Sequence, residues 1–186
     1  MKFCQIKLLY AGFLCLLCAG AVLSGAAQAA GTPVTNDMAV KYYDQCLGNA
    51  AKDGTMFEAN AKNFCECTAQ KMKSTLSQEE LQALQGQDQS ARNVINKILI
   101  YVNGPCMQYP INDLVLRKCM QDIGNERTCT CLSGGISTYL AKEAPKVLAD
   151  VLDRDPNITD PLGALMNSPS YKIQENKIAL RCASGG

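Results

Sequence analysis

The sequence predicts an all-α protein that is held together by disulfide bonds. Apolar residues recur at spacings of three and four along most of the chain, and no stretch of strand length alternates apolar and polar residues. Eight cysteines follow residue 29, and they form two sets that each contain a Cys-x-Cys pair. The even number and the repeated pattern favour a disulfide-stapled framework built from two related helical units.

The first 29 residues have the pattern of a signal peptide. Lys2 and Lys7 supply positive charge, residues 8–23 are apolar and rich in small side chains, and an Ala-x-Ala cleavage pattern ends at Ala29. We therefore expect cleavage after Ala29, and no membrane span in the mature chain. The alanine-rich end of the segment is typical of bacterial export, which indicates the periplasm or secretion.

The predicted helices of the first half span about 37–52, 57–76, 78–86 and 90–102. Thr35 or Asn36 can cap the first helix, and Gly54 breaks it. Ser77 and Glu80 form a capping box, in which each side chain satisfies a backbone N–H at the start of the third helix. An Asn-Gly-Pro turn ends the fourth helix.

The predicted helices of the second half span about 113–123, 126–142, 145–152, 161–167 and 170–182. Asn112 can cap the first of these helices, and Gly124 ends it. Pro145 suits the first turn of a separate helix because that position needs no backbone N–H. Ser168 or Ser170 can open the last helix.

Two four-cysteine sets define the predicted units. The first set is Cys46, Cys65, Cys67 and Cys106, and the second is Cys119, Cys129, Cys131 and Cys182. Both sets have a lone cysteine before and after the Cys-x-Cys pair, and Pro110 falls between them. We therefore predict a cleaved signal peptide over 1–29, a first helical unit over 30–110 and a second over 111–186.

Helical geometry limits how each Cys-x-Cys can pair. Residues i and i+2 lie about 200° apart around a helix axis, so the two cysteines face different neighbours. A hairpin that turns near residue 54 brings Cys46 closer to Cys65 than to Cys67. With the repeat, this predicts Cys46–Cys65, Cys67–Cys106, Cys119–Cys129 and Cys131–Cys182. The exchanged pairing in the second unit stays open, because the register there barely separates Cys129 from Cys131.

Composition argues against several function classes. The chain has no histidine and no tryptophan, which excludes His-based catalysis and histidine metal ligands. No Gly-rich phosphate loop or nucleophile elbow is present. Beyond residue 29 the chain carries 16 basic and 17 acidic residues, so it lacks the positive charge that nucleic-acid binding needs. We predict no catalytic residue, no metal site and no cofactor, and we favour a protein that is not an enzyme.

Two chemical alternatives use the sulfur atoms. A Cys-x-Cys pair can exchange disulfides, but Glu66 lies inside the first pair and disfavours a thiolate there. Met107 and Met120 each follow a cysteine, and such soft ligands suit Cu(I). The proposed disulfides use all eight cysteines, however, and leave no thiolate for a metal.

The sequence thus predicts an exported, non-catalytic binding or interaction protein of the bacterial periplasm or envelope. Its partner is either an unidentified protein or a small apolar ligand, and not a nucleic acid. One alternative is a carrier that holds a small ligand or lipid between the two units. The other alternative is a thiol-disulfide oxidoreductase that uses Cys-x-Cys.

Overall fold

The computed structural model describes residues 31–158 and 161–184, and for 161–162 it describes the backbone alone. The predicted signal peptide, residues 1–29, lies outside these residues. Within them the chain is helical, and the only β-type pairing is an isolated bridge between Pro33 and Ser77. The predicted all-α, disulfide-rich fold is therefore confirmed.

The helices are α1 Asn36–Asp53, α2 Glu58–Thr75, α3 Gln78–Ala83, α4 Gln89–Lys97, α5 Gln108–Asp122, α6 Glu126–Arg154, α7 Pro161–Met166 and α8 Pro169–Ala183. A π-helical segment, Ile98–Asn103, and a 3-10 turn, Gly104–Cys106, connect α4 to α5. Helices α1 and α2 pack as one hairpin, and α5 and α6 pack as another. Helix α6 also packs against α7, α8 and the π-helical segment, so it is the central element.

Several predicted caps are present at the helix ends. Thr35 caps α1, and Ser168 caps α8, each by accepting a backbone N–H from the first turn. Ser77 and Glu80 form the predicted capping box at the start of α3. Gly54 ends α1 with φ of 59°, a left-handed conformation that glycine adopts without a steric penalty.

No loop separates α4 from α5, although the sequence predicts one. The π-helical segment and the 3-10 turn carry the chain from Lys97 to Gln108, where α5 begins five residues before the predicted start at Asp113. Pro110 lies in the first turn of α5, where its missing N–H costs no helical hydrogen bond. The predicted boundary at residue 110 therefore falls inside a helix, and the relation between the two units stays a prediction.

Helix α6 continues through Pro145, so the two predicted helices at 126–142 and 145–152 are wrong. Buried apolar side chains lie on both sides of this proline: Leu140, Ala144, Val147, Leu148 and Val151. Their packing outweighs the cost of about 3 kcal/mol for a proline inside a helix. Gly104 lets the 3-10 turn approach this point, because a Cβ on Gly104 would lie 3.3 Å from the Cα of Pro145.

The apolar core has two parts. The larger part lies among α5, α6, α7 and α8, and its most buried members include Ile111, Ile136, Leu140, Leu165 and Tyr171. The smaller part joins the N-terminal segment to α2 and the π-helical segment through Val34, Met72, Leu76 and Val102.

A buried carboxylate joins the two halves of the chain. Asp113 on α5 is fully buried, and its oxygens accept the Phe57 backbone N–H at 2.6 Å and the Asn60 amide at 2.5 Å. Phe57 precedes α2 and has no cap of its own, so Asp113 acts as that cap from a distant helix. Arg117, one turn further on, donates to the Gly54 carbonyl at 3.1 Å, and its guanidinium carbon lies 5.5 Å from the centre of the Phe57 ring.

Replacing Asp113 with Asn should lower the free energy of unfolding by about 1–3 kcal/mol, because the new amide cannot accept from both buried donors. The measurement is urea denaturation with the disulfides intact. Asp122→Asn on the same helix is the matched control. Asp122 is exposed and, among the described residues, pairs with Lys118 alone, so its loss should cost less than about 0.5 kcal/mol. Equal losses in the two variants would contradict the capping role of Asp113.

The N-terminal segment 32–34 is bound to the start of α3. Thr32 donates its backbone N–H and its hydroxyl to the Glu79 carboxylate at 3.0 and 2.6 Å, and its carbonyl accepts the Gln78 N–H at 2.9 Å. Val34 is buried in the smaller part of the core. The Thr32 hydroxyl is the main cause that lowers the pKa of Glu79 to about 2.

The attachment of segment 32–34 should depend on pH. Because the pKa of Glu79 falls from 4.5 to about 2 on folding, its contribution is present above pH 4.5 and is lost as pH falls toward 2. Amide hydrogen exchange at Thr32 and Gln78 should lose protection over that range. Glu79→Gln should reduce the same protection already at pH 7, whereas Glu126→Gln at an exposed site on α6 should not. Unchanged protection in Glu79→Gln would contradict this role.

Candidate functional site

The disulfides join each Cys-x-Cys helix to its two neighbours. The pairs are Cys46–Cys65, Cys67–Cys106, Cys119–Cys129 and Cys131–Cys182, with Cα separations of 5.4 to 5.8 Å. They are the pairs that the sequence analysis favours, and not the exchanged alternative. Helix α2 is bonded to α1 and to the 3-10 turn, and α6 is bonded to α5 and to α8. None of these four bridges crosses Pro110.

This connectivity determines what the sulfur atoms can do. All eight cysteines of the described ranges are bonded, and neither Cys-x-Cys closes on itself. Met107 packs against the larger part of the core, and Met120 is exposed, each beside a cysteine whose sulfur is already bonded. In 31–158 and 161–184, no three His, Cys, Asp or Glu side chains meet as a possible metal site.

One cavity lies among α5, α6, α7 and α8 and has a volume of about 410 Å³. It is lined by Leu114, Val115, Lys118, Cys119, Asp122, Ile123, Leu132, Ile136, Met166, Tyr171 and Glu175. Val115, Ile136 and Tyr171 are buried and form the floor, whereas Leu114 and Ile123 are exposed at the mouth. Small-molecule sites in proteins commonly have this size and a largely apolar lining.

The charged groups of the cavity lining are paired. Lys118 donates to Asp122 at 2.9 Å across one turn of α5, and Glu175 accepts from Lys172 at 3.2 Å on α8. Both pairs are partly or largely exposed, so each adds little stability. Their effect is to leave the mouth of the cavity without an unpaired charge.

Tyr171 differs from its neighbours because it brings a polar atom into this apolar floor. The side chain is 1% exposed, and its hydroxyl finds no hydrogen-bond partner among the described residues. Burial, and to a smaller extent the carboxylate of Glu175, raises the pKa of the Tyr171 phenol to about 12. The Glu175 carboxylate is near enough to contribute to that shift, but the pair does not reach hydrogen-bonding geometry.

A second groove runs between α1 and α2, with a volume of about 400 Å³. It is lined by Asn36, Ala39, Val40, Tyr43, Glu66, Ala69, Gln70 and Lys73. Val40 is 58% exposed, and Lys73 donates to Asn36 across the groove. Ala69 is the one buried residue of its lining, so the groove is a surface feature with less capacity to enclose a ligand.

The sequence did not locate the cavity. The carrier hypothesis placed a ligand between the two units, but this cavity lies within the second half of the chain. Its lining residues come from four helices, and helical periodicity marks Ile136 or Tyr171 only as core positions. The sequence also does not show that the Tyr171 hydroxyl lacks a partner, because that depends on how α8 packs against α6.

Comparison with protein-family models, with curated proteins and with solved structures gave no match. Within the residues that the structure describes, no helix combines the length and the hydropathy that a membrane crossing requires.

A tryptophan at the mouth of the cavity should report ligand binding. The chain has no native tryptophan, so Leu114→Trp introduces a single indole at a half-exposed lining position, which can be excited apart from the tyrosines. Addition of butylbenzene should shift its emission to the blue in a saturable way, because the ligand excludes water from the indole. Leu180→Trp on α8 is the control, since Leu180 is 73% exposed and does not line the cavity. A similar response from both variants would show nonspecific association instead.

Proposed function

We propose that this chain is an exported, non-catalytic binding protein of the bacterial periplasm or envelope, and that it carries a small apolar ligand. The observation that supports this function most directly is the cavity of about 410 Å³, whose floor is apolar and buried. Disulfides on both sides of α6 fix the helices around it, which favours a preformed site.

Export is supported by two independent features. Residues 1–29 have the charge, apolar run and cleavage pattern of a secretory signal. The four disulfides persist in an oxidising compartment and are rare in the cytosol.

A protein partner is the second candidate, and the exposed face of α8 favours it. Ile173 is 57% exposed and Leu180 is 73% exposed, and their spacing of seven residues places them on the same face of the helix. The oxidoreductase alternative has less support, because that activity needs an accessible thiolate and all eight described cysteines are bonded.

Native mass spectrometry of the protein from its own host should distinguish these functions. We expect a chain that begins at Ala30, with none of its eight cysteines labelled by an alkylating reagent before reduction. We also expect extra mass from a small molecule, which denaturation should release. A mature chain that keeps Met1 would contradict export. Labelling confined to Cys65 and Cys67 would favour the oxidoreductase, and a bound protein without a small molecule would favour the interaction role.

A further inference from the structure

We propose that the cavity among α5, α6, α7 and α8 selects a neutral, largely apolar molecule that carries one hydrogen-bond acceptor, and that the Tyr171 hydroxyl donates to this acceptor. The proposal deepens the function given above and rests on it, because both use the same cavity.

The apolar character follows from the floor of the cavity. Val115 and Ile136 are at most 9% exposed, and Leu132 and Met166 add further apolar surface. A hydrocarbon group that leaves water for this surface is stabilised in proportion to the apolar area that it buries. A ligand without a substantial apolar part would gain little here.

The inference that the ligand is uncharged follows from the paired charges at the mouth of the cavity. Lys118 is already paired with Asp122, and Glu175 is already paired with Lys172. An anionic ligand would share Lys118 with the Asp122 carboxylate and would lie near the Glu175 carboxylate, and both acids repel it. A cationic ligand would compete with Lys118 or Lys172 for those same acids. A neutral ligand disturbs neither pair.

The inference that the ligand carries a hydrogen-bond acceptor follows from the unpartnered hydroxyl of Tyr171. A buried hydroxyl without a partner has lost its hydrogen bonds to water, so native structures rarely keep one. The phenol stays protonated at neutral pH and therefore donates a hydrogen bond. This hydroxyl is shielded from solvent, so a ligand reaches it by displacing a flexible side chain of the lining. Met166 is unbranched and carries no charge, so it is suited to such a shift.

The test compares two ligands that differ by one acceptor, 4-phenyl-2-butanone and butylbenzene. Each is titrated into the oxidised wild-type protein, into Tyr171→Phe and into the control Tyr139→Phe, and binding is measured by calorimetry. Tyr139 is a partly buried tyrosine on α6 that does not line the cavity. We expect Tyr171→Phe to weaken binding of the ketone by about 3- to 10-fold and binding of butylbenzene by less than 2-fold. The control should change neither, and 4-phenylbutyrate should bind the wild type more weakly than the ketone.

Thermal unfolding separates ligand recognition from a structural role of the hydroxyl. If the hydroxyl serves the ligand, Tyr171→Phe without ligand should unfold at the wild-type temperature or above it. A lower unfolding temperature, together with equal weakening of both ligands, would assign Tyr171 to packing and overturn the proposal. If both ligands bind and the variant changes neither affinity, the acceptor inference fails while the carrier function stands. If neither ligand binds the wild type, the carrier function fails as well.

Discussion

Two side chains that are two positions apart on an α-helix point about 200° away from each other, and the framework of this protein depends on that angle. A Cys-x-Cys in a helix cannot close on itself, so it holds that helix to a neighbour on each side. Helix α2 is fixed in this way to α1 and to the turn that ends at Cys106, and α6 is fixed to α5 and α8. The cavity depends on the second of these arrangements, since α5, α6 and α8 supply most of its lining.

The disulfides connect residues within each half of the chain, whereas noncovalent contacts connect the two halves. Each of the four disulfides joins two cysteines on the same side of Pro110. The carboxylate of Asp113 nevertheless caps α2 from the other half, and Arg117 holds the turn at Gly54. Helix α6 also packs on the π-helical segment and the 3-10 turn. The two halves are therefore tied covalently within themselves and are held to each other by buried polar contacts and packing.

Local chemistry was readable from the sequence, and tertiary packing was not. Thr35, Ser77 and Ser168 cap helices because the N–H groups of the first turn have no acceptor within the helix, and this effect needs no knowledge of the fold. Pro145 was misread for the opposite reason, since burial on both of its sides keeps α6 continuous. Asp113 was equally hidden: nothing in the sequence links it to an N–H that lies 56 positions away. The cavity could not be predicted from the sequence either, because it forms only when four helices pack together.

The disulfide pattern also determines how the chain would bear a mechanical load. Tension applied to the two ends would pass through the sulfur bridges, and the loops that they close would carry none of it. Between the bridges the backbone carries the force. The longest such backbone segment runs from Cys106 to Cys119 and is mainly α5. These 13 residues could extend to about 45 Å. The chain would therefore respond as two crosslinked segments that cannot extend, joined by one short segment that can. The hydrogen bonds of Asp113 would have to break before that segment extends.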